Sequence, residues 1–319
     1  MRSVIGVALI ALTPLASALL VSPPAKVLVC GGGAIQALTA RIAAIKGYDT
    51  TLCCTSNSLV ESKKLCFDDK FHPEGSLPLK LLCVSGPDAA EESEIDECVS
   101  AAEGLIIAFD SDRQYIPDKA LSVLASGDKL KHISVMSRYL NGAGMGFFAT
   151  AAKAAANQEV WAADAASVAA CKEQEALVQS TCKAKGATYS VIRAGTLKGG
   201  AMADAAIEPP GSGEASFLNE FFYTLGQQDV VNWRLLYDVE ALGVELSKGD
   251  TLPGPGFTAA LTATSAVGDG DSHRGAVATA LVESLRQPSA ADADLSVKAT
   301  KGTEFPSSDA QWAKLFESA

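Results

Sequence analysis

The stretch Lys26-Val27-Leu28-Val29-Cys30-Gly31-Gly32-Gly33-Ala34-Ile35-Gln36-Ala37 decides the fold. A short apolar run meets three glycines, and a segment with helical spacing (Leu38, Ile42, Ile45) follows up to Lys46-Gly47. A second apolar run, Thr50-Thr51-Leu52-Cys53-Cys54, comes at once. Strand, tight glycine turn, helix and strand make the opening βαβ unit of a dinucleotide-binding fold. Glycines suit this turn because a Cβ would hold the backbone N–H groups away from a pyrophosphate, which sits on the positive end of the helix. Read as G-x-G-x-x-G, the stretch gives Gly31, Gly33 and then Gln36 where the last glycine belongs. Read as G-x-x-G-x-x-G, it gives Gly31, Ala34 and Ala37. Gly31, Gly32, Gly33, Ala34, Ile35 and Gln36 are the candidate cradle, and a glycine turn without cofactor is the alternative that the motif alone leaves open.

Working outward, residues 56–78 are polar and read as irregular, with Pro73, Gly75 and Pro78. Leu79 to Val84 reads as a third strand, Ala89 to Glu103 as an acidic helix, and Gly104 to Asp110 as a fourth strand. Residues 116–130 read as a helix and His132 to Ser137 as a fifth strand. This alternation predicts an α/β protein with a doubly wound parallel sheet of the Rossmann type. Ligands of such sheets lie outside the carboxyl ends of the strands. The loops after Cys30, Cys54, Val84, Phe109 and Ser137 should therefore rim one cleft, which adds Thr55, Ser56, Ser85 and Phe109 to the candidate cofactor contacts. The Ala-rich tract 149–170 reads as a helix or a flap.

Composition narrows the class. With 319 residues, 48% hydrophobic and 20% charged, the chain can bury a sizeable core. A net charge of −11 with no Lys/Arg-rich block argues against a nucleic-acid partner. Eight cysteines are scattered without a C-x-x-C pair, and only three histidines accompany them. They read as small core residues in a reducing compartment, and no metal site is expected.

The N-terminus differs in kind. Arg2, an apolar run from Val4 to Leu12, Pro14 and Ala16-Ser17-Ala18 have the form of a cleavable signal, so residues 1–24 read as a targeting segment. The run is short for a membrane span, and no stable span is expected in the mature chain. Ala16-Ser17-Ala18-Leu19 also resembles the cleavage motif of proteins sent to the complex plastids of diatoms and related algae. A plastid stroma is the expected location, with secretion as the alternative. Residues 25–200 then form the nucleotide-binding domain, and 201–319 a small C-terminal lobe completing the fold and covering the cleft.

The second half carries a sharper signature. A helix with Lys172-x-x-Glu175 leads through Gly186-Ala187-Thr188-Tyr189 into Ser190-Val191-Ile192-Arg193-Ala194-Gly195-Thr196-Leu197-Lys198-Gly199-Gly200. Gly268 to Ala278 and Gln311-Trp312-x-x-Leu315-Phe316 follow. Together these segments resemble the atypical short-chain dehydrogenase/reductase group, also described as NmrA-like or NAD(P)-binding epimerase-like proteins. The resemblance implies a Tyr-x-x-x-Lys pair with an upstream serine, the tyrosine moving a proton and the lysine holding the nicotinamide ribose. Lys172 falls at the lysine, but the position four before it is Val168. Ser137 or Ser134 stands where the serine belongs, and Tyr139 is the nearest phenol, off the motif's spacing. Lys172, Ser137 and Tyr139 are thus the candidate catalytic residues. Their alternatives are a solvated lysine paired with Glu173 or Glu175 and a loop aromatic packed over the cleft. Arg193 suits a bidentate contact, with a carboxylate of the C-terminal lobe as the expected partner.

Cofactor choice turns on the end of the second strand. An acid there would bind the ribose 2′-hydroxyl of NAD, whereas this chain has Cys54-Thr55-Ser56-Asn57, with Lys63-Lys64 beyond. That leans toward NADP, with NAD as the alternative. The resemblance implies a dinucleotide and a small-molecule substrate for a reductase, isomerase or epimerase. Because Val168 replaces the tyrosine, it equally implies a non-catalytic NAD(P)-binding scaffold or redox-sensing assembly factor with a protein partner.

Overall fold

The computed structural model describes residues 20–67, 72–109, 116, 118–139, 165–198, 243–252, 271–301 and 305–319. The strands are β1 (Lys26–Gly32), β2 (Asp49–Thr55), β3 (Leu79–Ser85), β4 (Gly104–Phe109), β5 (His132–Ser137), β6 (Thr188–Ala194), β7 (Thr196–Lys198), β8 (Gly243–Lys248), β9 (Asp271–His273) and β10 (Ala293–Thr300). The helices are α1 (Ala34–Ile45), α2 (Leu59–Cys66), α3 (Glu92–Ala101), α4 (Asp118–Leu124), α5 (Ala165–Lys185), α6 (Arg274–Glu283) and α7 (Asp309–Ser318).

Eight strands form one sheet in the order β3-β2-β1-β4-β5-β6-β10-β8, parallel except for the edge strand β8, which runs antiparallel to β10. The first six positions are the Rossmann order, which reverses between β1 and β4. All six residues of β4 and of β5 are buried, as expected for central strands covered on both faces.

Two apolar cores follow from the alternation along these strands. Ile106 and Ala108 face the layer of α1 and α6, with Ile35, Leu38, Ile42, Val277 and Leu281. Leu105, Ile107 and Phe109 face the layer of α3, α4 and α5, with Val99, Leu121, Cys171, Val178 and Cys182. α1 is buried along most of its length because α6 lies over it. All eight cysteines are free thiols, and all but the half-buried Cys98 are buried.

The structure departs from the sequence expectation in places. Residues 59–66, expected to be irregular, form α2, which buries only Ser62, Leu65 and Cys66. So short a buried stripe gives no helical period to read in the sequence. The acidic helix is trimmed to Glu92–Ala101 and the next to Asp118–Leu124. A Cβ on Gly127 would stand 2.2 Å from the Val99 carbonyl oxygen, so the chain leaves α4 through a glycine pressed on α3. Beyond residue 200, β8, β10 and α6 join the main sheet and its core. Most of the segment 201–262 expected to cover the cleft lies outside the described residues, as does 149–164 of the Ala-rich tract; 165–170 open α5.

Candidate dinucleotide cleft

The glycine turn lies at the carboxyl end of β1, where the strand order reverses. Gly31 has φ +126°, and a Cβ built on it would stand 1.8 Å from the Ala108 carbonyl oxygen of β4. Only glycine lets β1 and β4 run together this far. Gly33 has φ 81° and ψ −174°, a conformation reserved for glycine, and it stands at the N-cap of α1. The N-cap residue Gly33 has no side chain and the first turn of α1 holds no acid, so the helix sets no negative charge of its own against an anion there. Glycine backbone followed by an acid-free helix start fits a pyrophosphate.

The other candidate contacts divide between backbone and side chain. Ile35 is in the core, so only its backbone can border a ligand. Phe109 is likewise fully buried among Leu28, Ile107 and Val135. Ala34 is half-buried, packed against the α1 core. Gln36 is buried, and its side-chain amide donates to the carbonyls of Val29 (3.2 Å) and Cys53 (2.6 Å). Its side chain serves the sheet.

At the end of β2, Thr55 and Ser58 close a hydroxyl turn, with Thr55 N–H donating to Ser58 Oγ at 3.0 Å. Ser56 Oγ donates to the Ser85 carbonyl (3.2 Å) and accepts from the Asp88 N–H (2.9 Å), which ties this turn to the loop after β3. Thr55 and Ser85 are exposed. Lys63, one of the two lysines behind the NADP lean, is paired with Glu74 at 2.7 Å.

A second cluster sits at the ends of β5 and β6. Arg193 is 2% exposed and uses all five guanidinium donors. Nε and Nη2 donate to Asp294 of β10 at 2.6 and 2.7 Å. Nη1 and Nη2 donate to Glu175 of α5 at 2.9 and 3.0 Å, and the remaining Nη1 proton goes to the Tyr139 carbonyl. Burial pulls its pKa down, but the hydrogen bonds and charges of Asp294 and Glu175 outweigh this and hold it above the ordinary arginine value. The expected pairing with a C-terminal carboxylate is therefore realised in Asp294, and no donor remains for a ligand.

Ser137 joins the same network. Its hydroxyl donates to Glu175, and its Oγ accepts the Tyr139 N–H at 3.0 Å. Tyr139 is half-buried, its ring 6.0 Å from the Arg193 guanidinium carbon. The structure thus brings Ser137 and Tyr139 together, whereas Lys172 is exposed and is not a member of this network. Val168 lies on α5 about one turn earlier, and its side chain is outside the described residues. Glu175 entered the sequence reading only as one of two alternative partners for Lys172, and the structure gives its carboxylate to Arg193 and Ser137. Its signal was a carboxylate on the same face as Cys171, Val178 and Cys182, which demands a buried cation.

Fold and turn together define the class: a doubly wound Rossmann sheet with a phosphate-type glycine turn at its switch point. Comparison with known proteins adds little beyond that. No family model matches the chain, and no curated protein matches it. Among solved structures, it is similar to a provisionally named epimerase from Bacteroides thetaiotaomicron at 12% identity and TM-score 0.48, covering 88% of this chain and 99% of that one. It is also similar to a wide-type short-chain dehydrogenase/reductase from Veillonella parvula solved with NADP, at 12% identity and TM-score 0.47, covering 89% and 99%. At such identities and scores the functional argument rests on the residues themselves. Among the described residues there is no cluster that could hold a metal ion and no helix long and apolar enough to cross a membrane.

Proposed function

We propose that the chain binds a nicotinamide dinucleotide at the β1/β4 switch point, NADP in preference to NAD. In this reading it acts as a reductase, isomerase or epimerase of the atypical short-chain dehydrogenase/reductase type on a small metabolite. The observation that carries the proposal is the turn Gly31–Gly33, whose glycine backbone opens directly on the acid-free start of α1. The NADP preference rests on the hydroxyl turn Thr55–Ser58, none of whose own residues carries a carboxylate to repel a 2′-phosphate. Tyr139 is the phenol best placed for proton transfer, because the Ser137–Glu175–Arg193 network fixes its backbone at the mouth of β5. A complex-plastid stroma is the compartment proposed for it.

A specific observation favours a second reading, a non-catalytic NAD(P)-binding protein. The serine hydroxyl that would assist a tyrosine is already donated to Glu175, and Val168 stands where the tyrosine belongs. Incubating the full chain with NADPH or NADP and a panel of small ketones, enones and nucleotide sugars, while following absorbance and resolving products, isomers included, by chromatography and NMR, separates the two. Turnover that falls in Tyr139→Phe supports the enzyme. Tight NADPH binding with no turnover of any panel member, and the same affinity in Tyr139→Phe, supports the binding protein.

A further inference from the structure

Gln36 occupies the position of the third fingerprint glycine, and the strand registers show what it does there. The β1/β2 ladder stops at Val29↔Leu52. β1 nevertheless continues beside β4 to Gly32↔Phe109, and β2 beside β3 to Thr55↔Ser85. The two strands therefore part immediately before the glycine turn on one side and the hydroxyl turn on the other. The Gln36 amide enters this split, its Nε2 donating to Val29 O on β1 and Cys53 O on β2. Gln36 is 3% exposed, so water does not replace these bonds.

We infer that Gln36 is a positioning residue: its amide is the clasp that joins β1 to β2 at the end of their ladder and so sets the spacing between the Gly31–Gly33 turn and the Thr55–Ser58 turn. The usual third glycine lets the helix settle on the strand. Here a side chain fills that space, and the amide takes the place of backbone pairing. An adenosine half bound between the two turns would span the clasp, so the ligand part of the inference rests on the dinucleotide reading, while the clasp itself does not.

The test is Gln36→Met, which keeps volume and removes both donors, with Gln36→Asn as a shorter amide that cannot span both carbonyls. Backbone hydrogen exchange of the full chain is read first, without ligand. Both variants should exchange faster in segments 29–33 and 53–56 and match the wild type in β5 and β6. NADPH affinity should fall about tenfold, the scale of one lost hydrogen bond. Wild-type exchange in those segments overturns the clasp whatever the ligand does. Faster exchange with unchanged NADPH affinity keeps the clasp and overturns its role in the site. Should the wild type bind no dinucleotide, the dinucleotide reading falls with the ligand role, and exchange alone decides the clasp. If Gln36→Met does not fold, Gln36→Asn is judged by the same outcomes.

Discussion

Arg193 and Asp294 meet diagonally across the β6/β10 pair, Nε to Oδ1 at 2.6 Å and Nη2 to Oδ2 at 2.7 Å. β10 is thereby tied by side chains as well as by its ladder to β6. Through Glu175 the same guanidinium holds α5, and through the Tyr139 carbonyl it holds the exit of β5. One cation between two carboxylates leaves the cluster net negative.

Removing that cation should be expensive. Arg193→Met strands Glu175 in a buried setting and leaves the part-exposed Asp294 without its partner, and should cost about 3–5 kcal/mol in urea unfolding, the range for breaking a buried ion pair. Asp294→Asn should cost less, because the Asp294 side chain is 35% exposed and Glu175 remains to balance the arginine. An Arg193→Met variant within about 1 kcal/mol of the wild type, the scale of an exposed pair, would contradict the clamp.

His132 should make the fold acid-sensitive. It is 2% exposed, and burial lowers its pKa from 6.5 to about 3. Its Nε2 lies 2.9 Å from Ser190 Oγ and its Nδ1 2.7 Å from Thr188 Oγ1, and these hydroxyls also reach the Ala290 and Lys131 carbonyls. Burial favours the neutral ring in the fold. The unfolded chain binds the extra proton below 6.5, so this group's contribution is lost as pH falls from 6.5 toward about 3. The slope is at most about 1.4 kcal/mol per pH unit. His132→Gln should show a shallower dependence over that window by chemical denaturation. Equal slopes would mean that His132 is protonated in the fold.

Glycines of positive φ should differ sharply in tolerance. Gly31→Ala puts a Cβ into the Ala108 carbonyl and should abolish or severely weaken folding. Gly186 follows α5 with φ +67°, and a Cβ placed on it would meet nothing within 4 Å. Gly186→Ala should therefore cost only backbone strain, about 1–2 kcal/mol. Thermal melts of the two variants check this contrast.

Much of the fold was legible because its signals are local. The apolar runs at 27–30, 104–109 and 132–137 are central strands buried on both faces, and they read as such without knowledge of their neighbours. The glycine turn was legible because φ restricts residue type. β8 was not: Gly243-Val-Glu-Leu-Ser-Lys248 is short and half polar, and only its ladder with β10 makes it a strand. Of the candidate site, the places of Ser137 and Arg193 at strand ends were legible, but the contacts of Gln36 and Glu175 depend on partners far along the chain or in space. A buried amide bridging two strands leaves no period in the sequence.

A fluorescence titration of the full chain with NADPH and NADH, repeated on Gly33→Ala, whose added Cβ disfavours the turn's backbone, decides whether the glycine turn holds a dinucleotide. Micromolar NADPH binding, weaker NADH binding, and loss of both in a Gly33→Ala variant that still melts cooperatively are the expected results. Absence of binding to either nucleotide, or binding that Gly33→Ala leaves untouched, would contradict dinucleotide binding at that turn.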